Sequence, residues 1–425
     1  MSHGLEVLDH TLAVKIGTDE NGVTGLLCLD TAARDWLWLR CADILLCTGG
    51  PAHIYSSRVY PESQHGMSGL AFEAGAAGAN LDCWQYGLAS VDFRWNLSGS
   101  YQQALPRYVS VDEHGTEHEF LAEALGEREA LRLAFLKGYQ WPFDPEKVNG
   151  SSRVDILVKE QEDLGRRVYM DYCRNPSGYA MDRLSDEARD YLVNCGADKA
   201  TPIERLAAIN APAIALYRSH GIDLSAEPLR ISVCAQHHNG GIAVDCDWQT
   251  EVPGLYVCGE AAGTFGRVRP GGTALNSTQV GSMRAARHAV RVHRPLRGTA
   301  APKITVPAEE PAALTETLQR EMTRVAAFRR DKTGMEILLT TVGEALVHTI
   351  PADPADPLLT DRLLLRDILM TQRQVLSAML YDLQCGGTEG VLRTKDGVSE
   401  RIPARPFPDR DLWFERVWKK YRKEM

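Results

Sequence analysis

"ADILLCTGG" (residues 42–50) and "GLYVCGEAAG" (residues 254–263) are the two stretches whose reading decides the fold. Each is a short, continuous apolar run stopped by glycine. A run without polar alternation suits a strand buried on both faces, as in a parallel sheet covered by helices. In such sheets ligands sit at the carboxyl ends of the strands, so the glycines mark the place to look.

Before the first of these runs, "HTLAVKI" (10–16) and "VTGLLCLD" (23–30) flank the turn-rich "GTDENG" (17–22), which reads as a hairpin, and "DWLWLRC" (35–41) adds a strand. After it, "GMSGLAFEAGAAGA" (66–79) reads as a small-residue helix packed closely on the sheet. The character then changes. Helical patterns such as "EFLAEALGEREALRLAFLK" (119–137) and "IERLAAINAPAIALYRSHG" (203–221) surround the breaker-rich "YQWPFDPEKVNGSS" (139–152). Sheet-like sequence returns in "LRISVCAQHHNGGIAVD" (229–245), and the helix "TALNSTQVGSMRAARHAV" (273–290) follows the second buried strand. A Pro/Ala-rich linker leads to further helices, among them "DRLLLRDILMTQRQVLSAMLYDL" (361–383), and "DLWFERVWKKYRKEM" (411–425) reads as a solvated or packed terminal helix. The expected class is α/β. Residues 1–87 and 229–295 form the two parts of one sheet domain, 88–228 an inserted, mostly helical capping domain, and 296–425 a C-terminal helical domain.

The bulk properties narrow the function. With 425 residues and 44% hydrophobic content the chain is long enough for two or three domains. A net charge of −9 and the lack of a Lys/Arg block argue against nucleic acid as a partner. No apolar run is long enough to span a bilayer and no signal-peptide pattern follows Met1, so a cytoplasmic setting is expected. Ten cysteines are scattered and never form C-x-x-C, which reads as reduced thiols and no metal or iron–sulfur site.

"GRVRPGGTALNS" (266–277) sets two arginines and a Gly-Gly pair before helix-compatible residues. A helix start carries unpaired N–H groups and partial positive charge, and glycines let a ligand approach the backbone. Something anionic or electron-rich is expected there.

Taken together, "HHNGGIAVD" (237–245) and "VPGLYVCGEAAGTFGRVRPGGTALNSTQVGSMRAA" (252–286) resemble the flavoprotein subunits of fumarate reductase and succinate dehydrogenase, with L-aspartate oxidase and other FAD-dependent enoate reductases as relatives. "ADILLCTGGPAHIY" (42–55), "HGMSGLAFEAGA" (65–76) and "WQY" (84–86) are similar to the same family in the same order. The resemblance implies a Rossmann-like FAD-binding domain with a β-meander, divided between 1–87 and 229–295. It implies that Glu260 meets a sugar or ribityl hydroxyl of FAD. Gly271, Gly272, Thr273, Ala274 and Leu275 would set backbone N–H groups at the flavin N1/O2 edge, where negative charge on reduced flavin would be stabilised. Thr48, Gly49 and Gly50 would line the cofactor from the other strand. Arg269 would grip a substrate carboxylate. His238, second of the pair His237-His238, would bind substrate, with a structural turn residue as the alternative.

The sequence also departs from that family. It contains no G-x-G, so the turn that holds the FAD pyrophosphate is not seen. Either the start is truncated or misassigned, or a second chain or copy supplies the ADP-binding half, or the protein does not bind FAD alone. The family's Gln-Phe-His-Pro motif stands here as Gln85-Tyr86-Gly87-Leu88. In "HGTEHEFLAEALGEREA" (114–130), where the family carries a proton-donating arginine, Glu117 replaces one arginine and Arg128 falls one position off. Arg128 is the candidate donor, with an exposed helix charge as the alternative. The family's Ser-Arg-Gly is "GGTEG" (386–390). These changes weigh against a dicarboxylate such as fumarate or succinate.

The expectation is an FAD-dependent oxidoreductase that moves a hydride between flavin and a carbon beside a carboxylate or carbonyl of an acidic small molecule. Two other readings stay open: a non-catalytic subunit that needs a partner chain for FAD, and a flavin-linked enzyme acting on an amine or ring substrate. An uncovered apolar sheet edge is expected where a βαβ unit would pack, which calls for a partner or a dimer.

Overall fold

The computed structural model describes residues 4–269, 272–298 and 300–404. Strands β1 (Thr11–Asp19), β2 (Gly22–Asp30) and β3 (Asp35–Arg40) form an antiparallel meander, with the expected hairpin at residues 20–21. The chain then enters β4 (Ile44–Leu46), which pairs in parallel with the distant β13 (Leu255–Val257). The Cys258 amide donates to the Leu46 carbonyl, so the ladder runs to the ends of both strands. The two glycine-stopped runs are therefore neighbours, and both carboxyl ends open on the same side.

Helix α1 (Ser68–Glu73) is shorter than its composition suggests. Gly75 turns left-handed at φ +97°, and Gly78–Ala79 leaves as strand β5. Between β4 and β13 lie β6 (Trp84–Ser90), β7 (Trp95–Asn96), α2 (Ser100–Gln103), β8 (Arg107–Val111), β9 (Glu117–His118), α3 (Phe120–Leu125), α4 (Glu127–Lys137), α5 (Ser152–Asp163), β10 (Arg167–Asp171), α6 (Asp186–Asn194), α7 (Pro202–Ser219), β11 (Leu229–His238) and β12 (Gly241–Ile242). The helical patterns are present, with two local breaks. Gly126, at φ +79°, separates α3 from α4, and α7 kinks at Asn210 just before Pro212, which lacks the N–H a straight helix needs.

The helices pack on a six-stranded antiparallel sheet of order β7-β6-β11-β10-β8-β9 that patterning did not announce. Its short members, such as "RVYMD" in β10, alternate over too few residues to stand out. Paired β6 and β11 carry the chain out into this sheet and back.

After β13 come α8 (Thr273–Val292), β14 (Thr305–Pro307), α9 (Pro311–Val325), α10 (Lys332–Val347), β15 (Thr349–Pro351), α11 (Leu359–Cys385), β16 (Val391–Lys395) and β17 (Val398–Ile402). Helix α11 is the central pillar, with Leu365, Leu369 and Leu376 buried. Each such side chain contributes about 1.5–3 kcal/mol of burial energy. Strands β16 and β17 join β5 and β12 in a four-stranded sheet, tying the C-terminal region to the glycine-rich crossing near Asn80.

Two surfaces are unusually apolar. Helix α8 buries only Gly281 and Ala285, leaving Leu275, Val280, Met283, Val290 and Val292 exposed. Among the described residues strand β4 pairs with β13 alone, and its middle residue Leu45 is exposed. Among the described residues no helix is long and apolar enough to cross a membrane.

Candidate cofactor and substrate site

The carboxyl ends of β4 and β13 gather Thr48, Gly49, Gly50 and Glu260 in one place. Gly50 is in close contact with the acid, since a Cβ there would stand 2.3 Å from Glu260 Oε1 and would push its carboxyl aside. Gly49 turns at φ +77°. The Thr48 hydroxyl oxygen is buried and has no hydrogen-bond partner among the described residues. A buried polar atom of this kind normally finds a partner, so it suits a ligand contact.

Glu260 accepts from the Tyr60 hydroxyl and, at 2.8 Å, from the His238 backbone amide. Burial nonetheless raises its carboxyl to about 7, against those two bonds and the attraction of Arg269. A carboxyl that keeps its proton up to this pH can both donate to and accept from a hydroxyl. The sign of the stability effect follows. The folded state holds this proton more tightly than the unfolded chain, so stability falls as pH rises from about 4.5 to 7 and then levels. Glu260→Gln is expected to match the parent at pH 4 and to exceed it above pH 7 by on the order of 2 kcal/mol. Urea melts at several pH values check this; a parallel pH slope in both proteins would refute it.

Helix α8 starts at Thr273 behind Gly272, which is left-handed at φ +76° and offers no capping side chain. No acidic residue stands in the first turn. The positive end of a long helix, carrying Thr273, Ala274 and Leu275, fits the electron-rich edge of a flavin. Gly271 lies outside the described residues. In the loop before α8, Arg269 donates through Nε and Nη2 to Gln85 Oε1 at 3.2 and 2.9 Å. Gln85 comes from "WQY" on β6, so a residue of the six-stranded sheet orients the arginine.

The histidine pair is resolved differently from the expectation. His238 is fully buried and stacks on Trp84 with ring centroids 4.1 Å apart, its Nε2 3.2 Å from the Leu81 carbonyl. Burial holds its pKa near 3. Its described contacts are those of a packed core residue, the structural alternative to the substrate-binding role expected for it. His237 is the ring that approaches the site. Its Nδ1 lies 3.1 Å from Asn239 Oδ1, its Nε2 lies 3.9 Å from Glu260 Oε2, and its edge meets Phe265. Burial, and secondly Arg269, lower its pKa to about 4, so it is neutral at pH 7. The cause is a bulge. Between Ala235 and His237 the β11–β6 register shifts by a residue, with Gln236 donating from Nε2 to the Gly87 carbonyl. A one-residue slip exchanges the two faces of a strand.

Arg128 is not brought to the site either. It is exposed in the first turn of α4, whereas the cavity is bordered by residues following the last turn. The nine-residue rise from Arg128 to Lys137 is about 13 Å. Glu117 is held by Arg107 and Arg174 at 2.8 and 2.9 Å, a surface ion-pair cluster.

Next to Arg269 lies a cavity of about 910 Å³ between β6, the 139–147 segment, the loop before α8 and the 327–330 segment. A Cβ at Gly87 would sit 2.7 Å from Trp141 Nε1. The indole of the inserted segment therefore occupies the room that a larger residue at position 87, the family's histidine included, would need. Sequence reading did not single out Trp141 and Phe328, and it named Gln85 and His237 without a role, because only the crossing of distant segments puts them together.

The sequence profile of the family described as "FAD binding domain" matches residues 1–275. L-aspartate oxidase of Mesorhizobium japonicum is 26% identical over 366 residues, covering 83% of this chain and 60% of its own length. L-aspartate oxidase of Mycobacterium leprae is 25% identical over 356 residues, covering 82% of this chain and 60% of its own. The chain thus spans 60% of the length of these two relatives. Among solved structures, E. coli quinol fumarate reductase FrdA superimposes with a TM-score of 0.60 at 16% identity, over 94% of this chain and 72% of its own. Mycobacterium smegmatis Sdh1 does so at 0.62 and 16%, over 97% and 70%. The chain therefore belongs to the FAD-binding domain family, its cofactor is FAD, and its fold is that of the fumarate reductase and succinate dehydrogenase flavoproteins.

Proposed function

We propose that this chain carries the flavin-ring and substrate part of an FAD-dependent oxidoreductase that acts at a carbon adjacent to a carboxylate or carbonyl. The observation that carries the reading is Arg269. It is a cation held ready by a neutral glutamine, between the start of α8 and a large cavity. FAD, when bound, supplies two-electron chemistry. The chain's own residues do the rest. Arg269 grips and orients the substrate carboxylate, and Gln85 holds the guanidinium fork in the plane that grip needs. Thr48 and Glu260 hold hydroxyls of the cofactor, and the first turn of α8 stabilises charge at its ring edge. The inserted segment, taken as 88–228, covers the cavity and excludes water.

To test the reading, the protein loaded with FAD is mixed anaerobically with unsaturated and saturated carboxylic acids while the flavin absorbance is followed. Bleaching or recovery of the flavin band with at least one acid is expected, and none with the matching amides. A flavin band indifferent to every acid in both redox states would overturn the proposal.

The pyrophosphate half of the site is a separate matter. Neither the described residues nor the sequence offers a G-x-G turn, so the fit to FAD is to its flavin half. We propose that a glycine-rich βα unit docks on β4 and α8, adding a strand at the open edge and covering the exposed face of Leu275, Val280 and Met283. Parallel sheets are stable with both faces covered, which supports that occupant. This chain by itself is then expected to bind FAD no more tightly than FMN, read by flavin fluorescence quenching. A preference for FAD of about a hundredfold, some 2.7 kcal/mol, would contradict it.

A further inference from the structure

The cavity has a charge pattern that is informative about the substrate. Four cations border it: Lys147, Arg267, Arg269 and Arg330. Three already face carboxylates. Lys147 pairs with Asp144 at 2.9 Å, Arg267 lies 3.9 Å from Asp82 and 3.8 Å from Asp382, and Arg330 lies 3.5 Å from Asp382. Asp382 is further held by Arg401 at 2.6 Å. Among the described residues no carboxylate comes within ion-pair distance of Arg269; its partner is the neutral Gln85. Among the described residues Arg269 is thus the lining cation with no carboxylate at ion-pair distance, while Arg267, Arg330 and Arg401 share Asp82 and Asp382. To match its second carboxylate a dianion would have to draw Lys147, Arg267 or Arg330 away from Asp144, Asp82 or Asp382, and leaving one of those charges unmatched is costly.

The lining is also aromatic. Phe143 from the inserted segment meets Phe328 edge-to-face with centroids 4.7 Å apart, and Tyr86 of β6 meets Phe328 in the same way at 6.0 Å. Trp141, seated over Gly87, extends this surface. A four-carbon acid would leave these rings in contact with water, whereas an aromatic or similarly bulky apolar body would cover them.

From Arg269 and the aromatic lining together, we infer that the substrate is a monocarboxylate with an aromatic or comparably bulky apolar body. Its carboxylate lies on Arg269 and its body lies against Tyr86, Phe143 and Phe328. This rests on the reading of the cavity as the substrate site, and it replaces the family's small dicarboxylates with another chemical class.

Calorimetric titration of the full chain with trans-cinnamate, fumarate and cinnamamide tests it. Cinnamate is expected to bind at least about tenfold more tightly than either of the others, a charge-assisted pair and an apolar contact each being worth that much. Phe328→Ala should weaken cinnamate by about tenfold and leave fumarate unchanged. Asp382→Asn, which releases Arg330 and Arg267, should raise fumarate affinity by about tenfold or more. Should that variant fail to fold, the three-ligand comparison on the parent still decides. Fumarate binding as tightly as cinnamate, cinnamamide binding as tightly as cinnamate, or no binding of cinnamate overturns the inference. Flavin fluorescence in the same samples separates the two proposals. Bound flavin without cinnamate binding sinks the substrate class alone, and cinnamate binding without flavin sinks the cofactor reading alone.

Discussion

Arg269→Ala lowers kcat/KM for an acidic substrate by about 10²–10⁴-fold while flavin content and melting behaviour stay at parental values. The magnitude follows from losing two charge-assisted hydrogen bonds, each worth about 1.5–3 kcal/mol, together with the alignment they impose. Stability is spared because the guanidinium is half-exposed in a loop and its only hydrogen-bond acceptor among the described residues is the Gln85 side chain. Gln85 stays solvated or repairs locally once the arginine is gone. The measurement is steady-state kinetics beside flavin absorbance on the same preparation. A specificity constant within about threefold of the parent would remove Arg269 from the mechanism. A loss of flavin together with activity would instead make it a cofactor residue.

The second large effect concerns the backbone beneath the site. Gly240→Ala is expected to cost about 3 kcal/mol or more, or to prevent folding. A Cβ on residue 240 would stand 1.9 Å from the Asn80 carbonyl oxygen and 2.9 Å from that of Ala79. Neither side can retreat. The amides of Asn239 and Gly240 donate to the Cys83 carbonyl, while Asn80 is stitched to β16 through its amide to Leu392 and its side chain from the Leu392 amide. A flexible side chain in the way would make the clash cheap, but here the obstacle is main chain on both sides. Urea unfolding reads the loss; a midpoint and slope equal to the parent's would show that the crossing is looser than its geometry implies. Gly343→Ala serves as the control, since a Cβ there meets nothing within 4 Å.

The cofactor end of the site was legible for a local reason. A buried strand that stops in glycine declares its own position, and a Gly-Gly pair before small residues declares a helix start. Those patterns marked the strand ends and the helix start, the family resemblance nominated Thr48, Gly49, Gly50, Glu260 and the first residues of α8 there, and the two strand ends lie side by side in the fold. The substrate end was not legible in the same way. The choice between His237 and His238 turned on a one-residue bulge in the pairing of β11 with β6. Arg128 looked well placed along the chain, yet α4 directs its other end toward the cavity.

By itself, then, the sequence determined the α/β class, the two parallel strands and the glycine-lined ends where a flavin fits, because these follow from short-range patterns of apolar and glycine residues. Only the tertiary structure decided which imidazole approaches Glu260, that Trp141 fills the space over Gly87, and that Arg267, Arg330 and Arg401 share Asp382 while Arg269 stays free of any described carboxylate. Those outcomes depend on strand register and on contacts between residues hundreds of positions apart, where no local pattern specifies which face or which partner a side chain will meet.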